Sequence, residues 1–412
     1  MTGMAKILIL NNPHSINMAI VIGSGAGGAA TARYLAGSGH DVLVIERGPA
    51  VFEKDAGAYY ANVDAGVRLM RTFCLGGTTM VSGGNALRCL EYEFRENGID
   101  LNRHYAAIEE DLAVRVLPDE LLGEGTRRLM DAAQRIGFDV KRMPKFINPD
   151  LCRKDGLCSF GCPHNARWSA IRFIRIAEEH GAEVITDKKA DEVIIRHGEV
   201  AGVRCGTEIF KDDLIVLAAG ALETPTFLRA LLLPTSPLFA DTFISIGGLL
   251  PGIGMNRDVP MGSYIPFDGG MILTHYSRPL HALMNNRGIL AKPEDILGMM
   301  VKIKDEDAGS VNDTIHKSVS VQDAVRLIAG SAYAASILAE AGSDPSTFVT
   351  APLRGSHPCG TARIGVSVDT NLETAIPGLY VTDASVLPTA PGAPPILAII
   401  SLARYAAEKM NR

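Results

Sequence analysis

The residues with the clearest chemical purpose lie in residues 18–48, MAIVIGSGAGGAATARYLAGSGHDVLVIERG. Gly23, Gly25 and Gly28 form a G-x-G-x-x-G pattern directly after a short apolar run, Met18 to Ile22. In such a pattern the first glycine permits a tight turn. The second lets the backbone approach a pyrophosphate, and the third lets helix and strand pack closely. A helix over about Ala29 to Leu35 then offers phosphate its unpaired N–H groups and the positive end of its dipole. Asp41 to Ile45 reads as a second buried strand. Glu46, eighteen residues after Gly28, is placed to accept hydrogen bonds from an adenosine ribose. The unit is built to hold the ADP half of a dinucleotide. The pattern alone does not separate FAD from NAD, but its position early in the chain suits FAD.

A second chemical stretch is CRKDGLCSFGCP, residues 152–163. Cys152, Asp155, Cys158 and Cys162, followed by Pro163, follow the bacterial ferredoxin spacing with Asp in the second place. Gly156 and Gly161 shorten the loop, so its thiolates can converge. Asp155 could serve as a weak oxygen ligand of a [4Fe-4S] cluster or leave a [3Fe-4S] cluster. Zinc completed by Asp155 or His164, unmetallated thiols and a redox disulfide stay open beside the iron–sulfur reading. Cys74, Cys89, Cys205 and Cys359 are scattered and read as buried free thiols.

Further segments punctuate the chain. RTFCLGGTTMVSGGNALR, residues 71–88, carries the pairs Gly76-Gly77 and Gly83-Gly84 around small polar residues that include Ser82. Such a loop lets backbone N–H groups reach a planar ligand. LIVLAAGALETPTFLR, residues 214–229, reads as a strand ending near Ala219-Gly220, then a helix opened at Thr224-Pro225. GSHPCGTARIG spans residues 355–365, and LYVTDASVLPTAPGAPPI spans residues 379–396.

Taken in order, these segments resemble the glucose–methanol–choline (GMC) oxidoreductase family, from about Met18 to Lys409. The resemblance implies FAD and hydride transfer from an alcohol to the flavin. It implies that Asp383 and Ala384 lie near the FAD and that His357 faces the flavin ring. Alcohol oxidation needs a base for the hydroxyl proton, and histidine titrates near working pH. His357, in the HPCG segment, is the candidate among ten histidines. The bland alternative is a histidine that only packs a loop. Three departures stand out. Pro395 occupies the place of the family's second His or Asn, and a proline ring cannot hydrogen-bond a hydroxyl. The region from Ala230 to Arg354 is short. No histidine stands in the GGTTMVSGG loop, so FAD is expected to be non-covalent.

The elements that must position these groups give an α/β expectation. A discontinuous FAD-binding Rossmann-like domain takes residues 18–90, 150–235 and 353–412. A smaller α+β substrate domain takes residues 91–149 and 236–352. Helices are expected near Asn102–Arg115, Gly123–Ile136 and Ile396–Lys409. Residues 1–17 read as a frayed tail or an over-extended start. Forty Lys and Arg against 46 Asp and Glu give a net charge of −6 with no basic stripe, which leaves nucleic acid without electrostatic support. The most apolar stretch, Leu214 to Pro234, is broken by Glu223, Pro225 and Arg229, so no membrane span is expected and the location reads as cytoplasmic. The apolar runs ALLLPTSPLFA and DILGMM in the substrate region point to an apolar or bulky alcohol. The readings are a GMC-type dehydrogenase passing electrons to a carrier rather than oxygen, a reductase of an unsaturated substrate fed through a cluster, and a flavin module without turnover.

Overall fold

The computed structural model describes residues 6–8 and 18–410. The reading of residues 1–17 therefore lies outside the described residues, apart from Lys6–Leu8, a strand parallel to Glu208–Phe210.

Met18–Ile22, an apolar run with no turn-forming residue, is a buried strand. It pairs in parallel with Asp41–Ile45 on one side and Ile215–Leu217 on the other. Glu183–Ile185 and Leu379–Val381 complete a five-stranded sheet whose pairings are all parallel. Both faces of such a sheet must be covered, which is why its strands are apolar throughout rather than alternating. The helix Ala26–Gly37 covers the first two strands. Its residues are small for a steric reason: a Cβ on Gly28 would stand 1.9 Å from the Gly23 carbonyl oxygen, and one on Gly27 the same distance from that of Thr382. The C-terminal helix Ile396–Met410 packs on this helix. It begins just after Pro394-Pro395, whose missing N–H groups cost nothing at a helix start.

A second, larger sheet has nine strands among the described residues and is almost wholly antiparallel. Its centre is Thr242–Leu249 paired with Ile296–Ile303, which pairs in turn with Gly270–Thr274 and then Ser263–Phe267. Arg354–Gly355 pairs with Thr242–Phe243 and, in parallel, with Arg68–Leu69. The helix Val321–Glu340 lies on this sheet and is opened by a reciprocal cap between Ser320 and Asp323. The helices Asn102–Asp111 and Glu124–Arg135 lie near the positions read from the sequence. Among the described residues no helix is long and apolar enough to cross a membrane.

Candidate active site

A cavity of about 1210 Å³ is lined from both sheets. At one end it meets Gly23, Ser24, Gly25, Ala26 and Gly27, at the start of the first helix, together with Glu46. Gly23 adopts φ +100°, which only glycine takes without strain, and its α-carbon faces the Ala218 carbonyl. A Cβ on Gly25 would meet no protein atom within 4 Å. That open face beside a helix N-terminus is what a pyrophosphate requires. Glu46 accepts from Ser24 N–H at 3.0 Å, Ser24 Oγ at 2.6 Å and Gly48 N–H at 2.8 Å. A carboxylate has about four acceptor sites, so one remains for a ribose hydroxyl. The residues present thus fit the ADP half of FAD.

Of the other sequence-read positions, Gly77, Ser82, Gly83, Ala219, Gly220, Asp383 and Ala384 line the same cavity. Gly28 and Gly76 do not. Gly28 sets helix packing as described, and the Gly76 N–H donates to Ser24 Oγ at 2.9 Å, tying the glycine loop to the fingerprint. Asp383 joins three segments: it accepts from Gly220 N–H at 2.8 Å, Thr224 Oγ1 at 2.6 Å and Ser385 N–H at 2.7 Å.

His357 lines the cavity further along. Its Nδ1 lies 2.7 Å from Asp241 Oδ2, and a proton held there leaves the lone pair on Nε2. Asp241 is fully buried, and its other oxygen accepts the Gly392 N–H at 2.8 Å. Lys302 Nζ stands 3.5 Å from His357 Nδ1 and donates to Ser356 Oγ. Burial pushes the Asp241 carboxyl upward against the opposing pull of Lys302. Burial pushes Lys302 downward against the pull of Asp241. Burial and then the Lys302 charge hold His357 well below the usual histidine range, so its ring is neutral at pH 7. His275 also lines the cavity, with Nδ1 buried and unbonded, and burial lowers it to about 4. Behind this group Asp305 pairs with Lys317 at 3.2 Å, both side chains wholly buried.

The segment carrying His357 is bonded on both sides. Its own N–H donates to the Ala240 carbonyl at 3.0 Å, beside the large sheet. Shortly afterwards Gly360 N–H donates to Ala384 O at 3.1 Å and Ala362 N–H to Ser385 O at 2.8 Å, beside the parallel sheet.

Asp241, Lys302, His275 and Arg354 were not read from the sequence. Lys302 had a signal: it is the lone charge in the apolar strand ILGMMVKI, where every residue is buried. A cation so placed needs a partner, and asking for one leads to Asp241. The other three sit at strand ends with no local pattern.

The cysteine run packs tightly against its neighbours. Cys152, Cys158 and Cys162 border a recess of about 10 Å³. That is no more than one water occupies and leaves no room for a cube of iron and sulfide. Among the described residues no group of three or more His, Cys, Asp or Glu is arranged to hold a metal ion. Asp155 is engaged by His164, 3.1 Å away, and by the Leu157 N–H at 3.0 Å. The physical reason lies in the glycines. A Cβ on Gly156 would stand 2.1 Å from the Asn256 carbonyl oxygen, and one on Gly161 would stand 1.9 Å from that of Glu53. The loop is pressed onto its neighbours instead of wrapping a guest. Cys152, Asp155, Cys158 and Cys162 thus lie together without an arrangement of ligands around a common centre. All seven cysteines are free thiols. The adjoining Arg167 donates to the Thr79 and Met80 carbonyls, so this segment buttresses the glycine loop.

A parallel dinucleotide sheet, a second sheet closing its cavity and a half-buried histidine at their meeting define a flavin-dependent oxidoreductase. The chain belongs to the GMC oxidoreductase family: the family's N-terminal model matches residues 19–231 and its C-terminal model residues 300–403. It is 32% identical over 389 residues to an uncharacterised protein of Methanocaldococcus jannaschii, covering 93% of this chain and 97% of that one. It is 27% identical over 478 residues to an uncharacterised GMC-type oxidoreductase of Mycobacterium tuberculosis, covering 95% of this chain and 75% of the relative. Among solved structures it is similar to pyridoxine 4-oxidase from Mesorbium loti, with TM-score 0.72 and 15% identity, covering 95% of this chain and 99% of that one. Formate oxidase of Aspergillus oryzae follows, with TM-score 0.69, 14% identity and coverage of 96% and 98%.

Proposed function

We propose that this protein oxidises the CH–OH group of a small-molecule alcohol with His357 as the base. The observation that carries this is the His357 ring, held 2.7 Å from a buried carboxylate on the wall of a cavity shared with the dinucleotide site. FAD, when bound, supplies the hydride acceptor. His357 Nε2 takes the hydroxyl proton, while Asp241 holds the ring in the tautomer that leaves Nε2 unprotonated. Asp241, Lys302 and His357 share their protons as one buried set, so none of them titrates alone. Gly23, Gly25, Glu46, Gly77, Ser82, Gly83, Ala219, Gly220, Asp383 and Ala384 hold FAD non-covalently, with Gly28 and Gly76 shaping the cradle. The lobe division at residues 90, 150, 235 and 353 belongs to the same proposal.

An open cavity beside His357 favours turnover over a flavin module without chemistry. The reductase reading required a cluster as electron source, and the small recess at the cysteines lends it no support. For the acceptor, we favour an electron carrier. Pro395, which lines the cavity with Ile396 and Ile399, offers no polar group for oxygen chemistry, and the Lys302 charge is opposed by Asp241. Of the apolar runs that pointed to a bulky apolar alcohol, Ala230, Leu231 and Met300 line the cavity, while Leu238, Ile296, Leu297 and Met299 are wholly buried.

The test is anaerobic mixing of the FAD-loaded enzyme with a panel of alcohols, followed by flavin bleaching. His357→Ala should keep FAD and slow bleaching by about 10²–10⁴-fold. Unchanged bleaching in that variant would remove His357 from the mechanism. Peroxide formed in air as fast as a dye is reduced would overturn the carrier.

A further inference from the structure

We infer that the substrate carries an anionic group, a carboxylate or a phosphate, and that Arg354 binds it. The inference rests on His357 marking the reacting end of the cavity, and it adds the chemical class of the molecule that reacts there.

Arg354 lines the cavity three residues before His357, on the short strand whose next residues are Ser356 and His357. Its side chain is half-buried, and burial lowers its pKa, followed by the repulsion of Arg68. Among the described residues no carboxylate stands within ion-pair distance of its guanidinium, and no hydrogen bond reaches it. Three other cations of the cavity have an acid to answer them. Arg47 and Arg71 share Glu223, at 3.2 and 2.6 Å, and Lys302 is matched by Asp241. The cavity's acids are likewise engaged, Asp383 by Gly220 and Thr224 and Asp155 by His164. The group nearest in charge terms is Tyr60, but burial pushes its phenol up to about 12, and its hydroxyl donates to the Ser159 carbonyl at 2.7 Å. Tyr60 therefore stays neutral and gives Arg354 no counter-charge.

An arginine held partly out of water without a partner loses hydration that nothing in the protein replaces, and an anionic ligand would replace it. The guanidinium fork matches carboxylate and phosphate oxygens in a bidentate fashion. FAD phosphates do not meet this need, because their cradle lies at Gly23–Gly27 at the start of the first helix. A substrate anion does: anchored on Arg354, it places a nearby hydroxyl-bearing carbon along the wall toward His357. Arg257 and Arg278, exposed at the same cavity and free of carboxylate partners among the described residues, add a positive rim that draws anions inward.

The experiment is a titration of the FAD-loaded enzyme with benzoate, phenyl phosphate and benzamide, read as a perturbation of the flavin spectrum. None of these probes is oxidised, so the outcome does not depend on alcohol turnover. At least one anion should bind, and its choice between benzoate and phenyl phosphate identifies the group. Arg354→Met should weaken that anion by about 10- to 100-fold, the scale of a lost charged hydrogen-bonded pair. Arg354→Lys should retain part of the affinity. Benzamide binding as tightly as benzoate, equal anion affinity in Arg354→Met, or no perturbation by either anion would each overturn the inference. Failure of alcohols to bleach the flavin would instead count against the base assigned to His357.

Discussion

His357 Nδ1 lies 2.7 Å from Asp241 Oδ2, and the other oxygen of that carboxylate holds the Gly392 amide of the loop that carries Pro395. One buried acid therefore orients the base and anchors the loop facing it. Asp241→Asn removes the preference for a proton on Nδ1. Flavin reduction should slow by roughly 100-fold with FAD still bound, as when a base loses its orienting carboxylate. Stopped-flow bleaching checks it.

The pH dependence has a defined sign. His357 must be neutral to act, and burial together with Lys302 holds its pKa below the ordinary 6.5 or so. The active form thus persists as pH falls through that value, and activity is lost only at lower pH. Lys302→Met removes a positive charge and raises the histidine, so the acid limb of kcat/KM should move to higher pH. A limb that stays in place would show that Lys302 does not act on the base.

Gly25 and Gly28 separate binding from folding. A Cβ on Gly25 enters open space where phosphate would lie, whereas one on Gly28 meets the Gly23 carbonyl at 1.9 Å. Gly25→Ala should leave the Tm of the FAD-free chain unchanged while weakening FAD at least tenfold. Gly28→Ala should lower the Tm itself. Differential scanning with and without FAD distinguishes the two.

The cysteine recess predicts thiol behaviour. Burial pushes Cys158 up to about 11, so it remains protonated at pH 7 and reacts slowly. Cys152, the one cysteine that is not fully buried, should be the first to react with a disulfide reagent, and all seven should react after denaturation. Iron and sulfide should stay well below one per chain after anaerobic purification. Stoichiometric iron would contradict the geometry.

The wholly buried Asp305–Lys317 pair supports the wall behind Asp241. Asp305 also accepts from the amides of Ala240, Asp241 and Thr242. Lys317→Met strands that charge and should cost about 3–5 kcal/mol of stability. Adding Asp305→Asn should recover part of the loss in urea denaturation, because the unpaired charge is gone.

How legible the protein was in its sequence follows from the reach of each signal. The glycine fingerprint and Glu46 lie within one strand–helix–strand unit, so spacing alone exposes them. The partner of His357 lies 116 residues away, just before the strand that pairs with Arg354–Gly355, where no local rule operates. Lys302 was visible only as a charge out of place in a buried strand. The cysteine spacing matched a cluster pattern, but spacing does not report whether a loop is held open. Gly156 and Gly161, which seemed to give it room, are where neighbouring backbone presses in. Arg354 carries no motif, and its meaning appears only when the surrounding acids are seen to be taken.

The double attachment of the His357 segment bears on how molecules come and go. Since the base is hydrogen-bonded beside the large sheet and Gly360 and Ala362 beside the parallel one, the two sheets cannot part without breaking these bonds. Traffic must then pass through the cavity mouth by rearrangement of side chains, with the catalytic frame held closed throughout. A reaction run in such a frame should have a turnover rate nearly independent of solvent viscosity, unlike one gated by the opening of a clamshell.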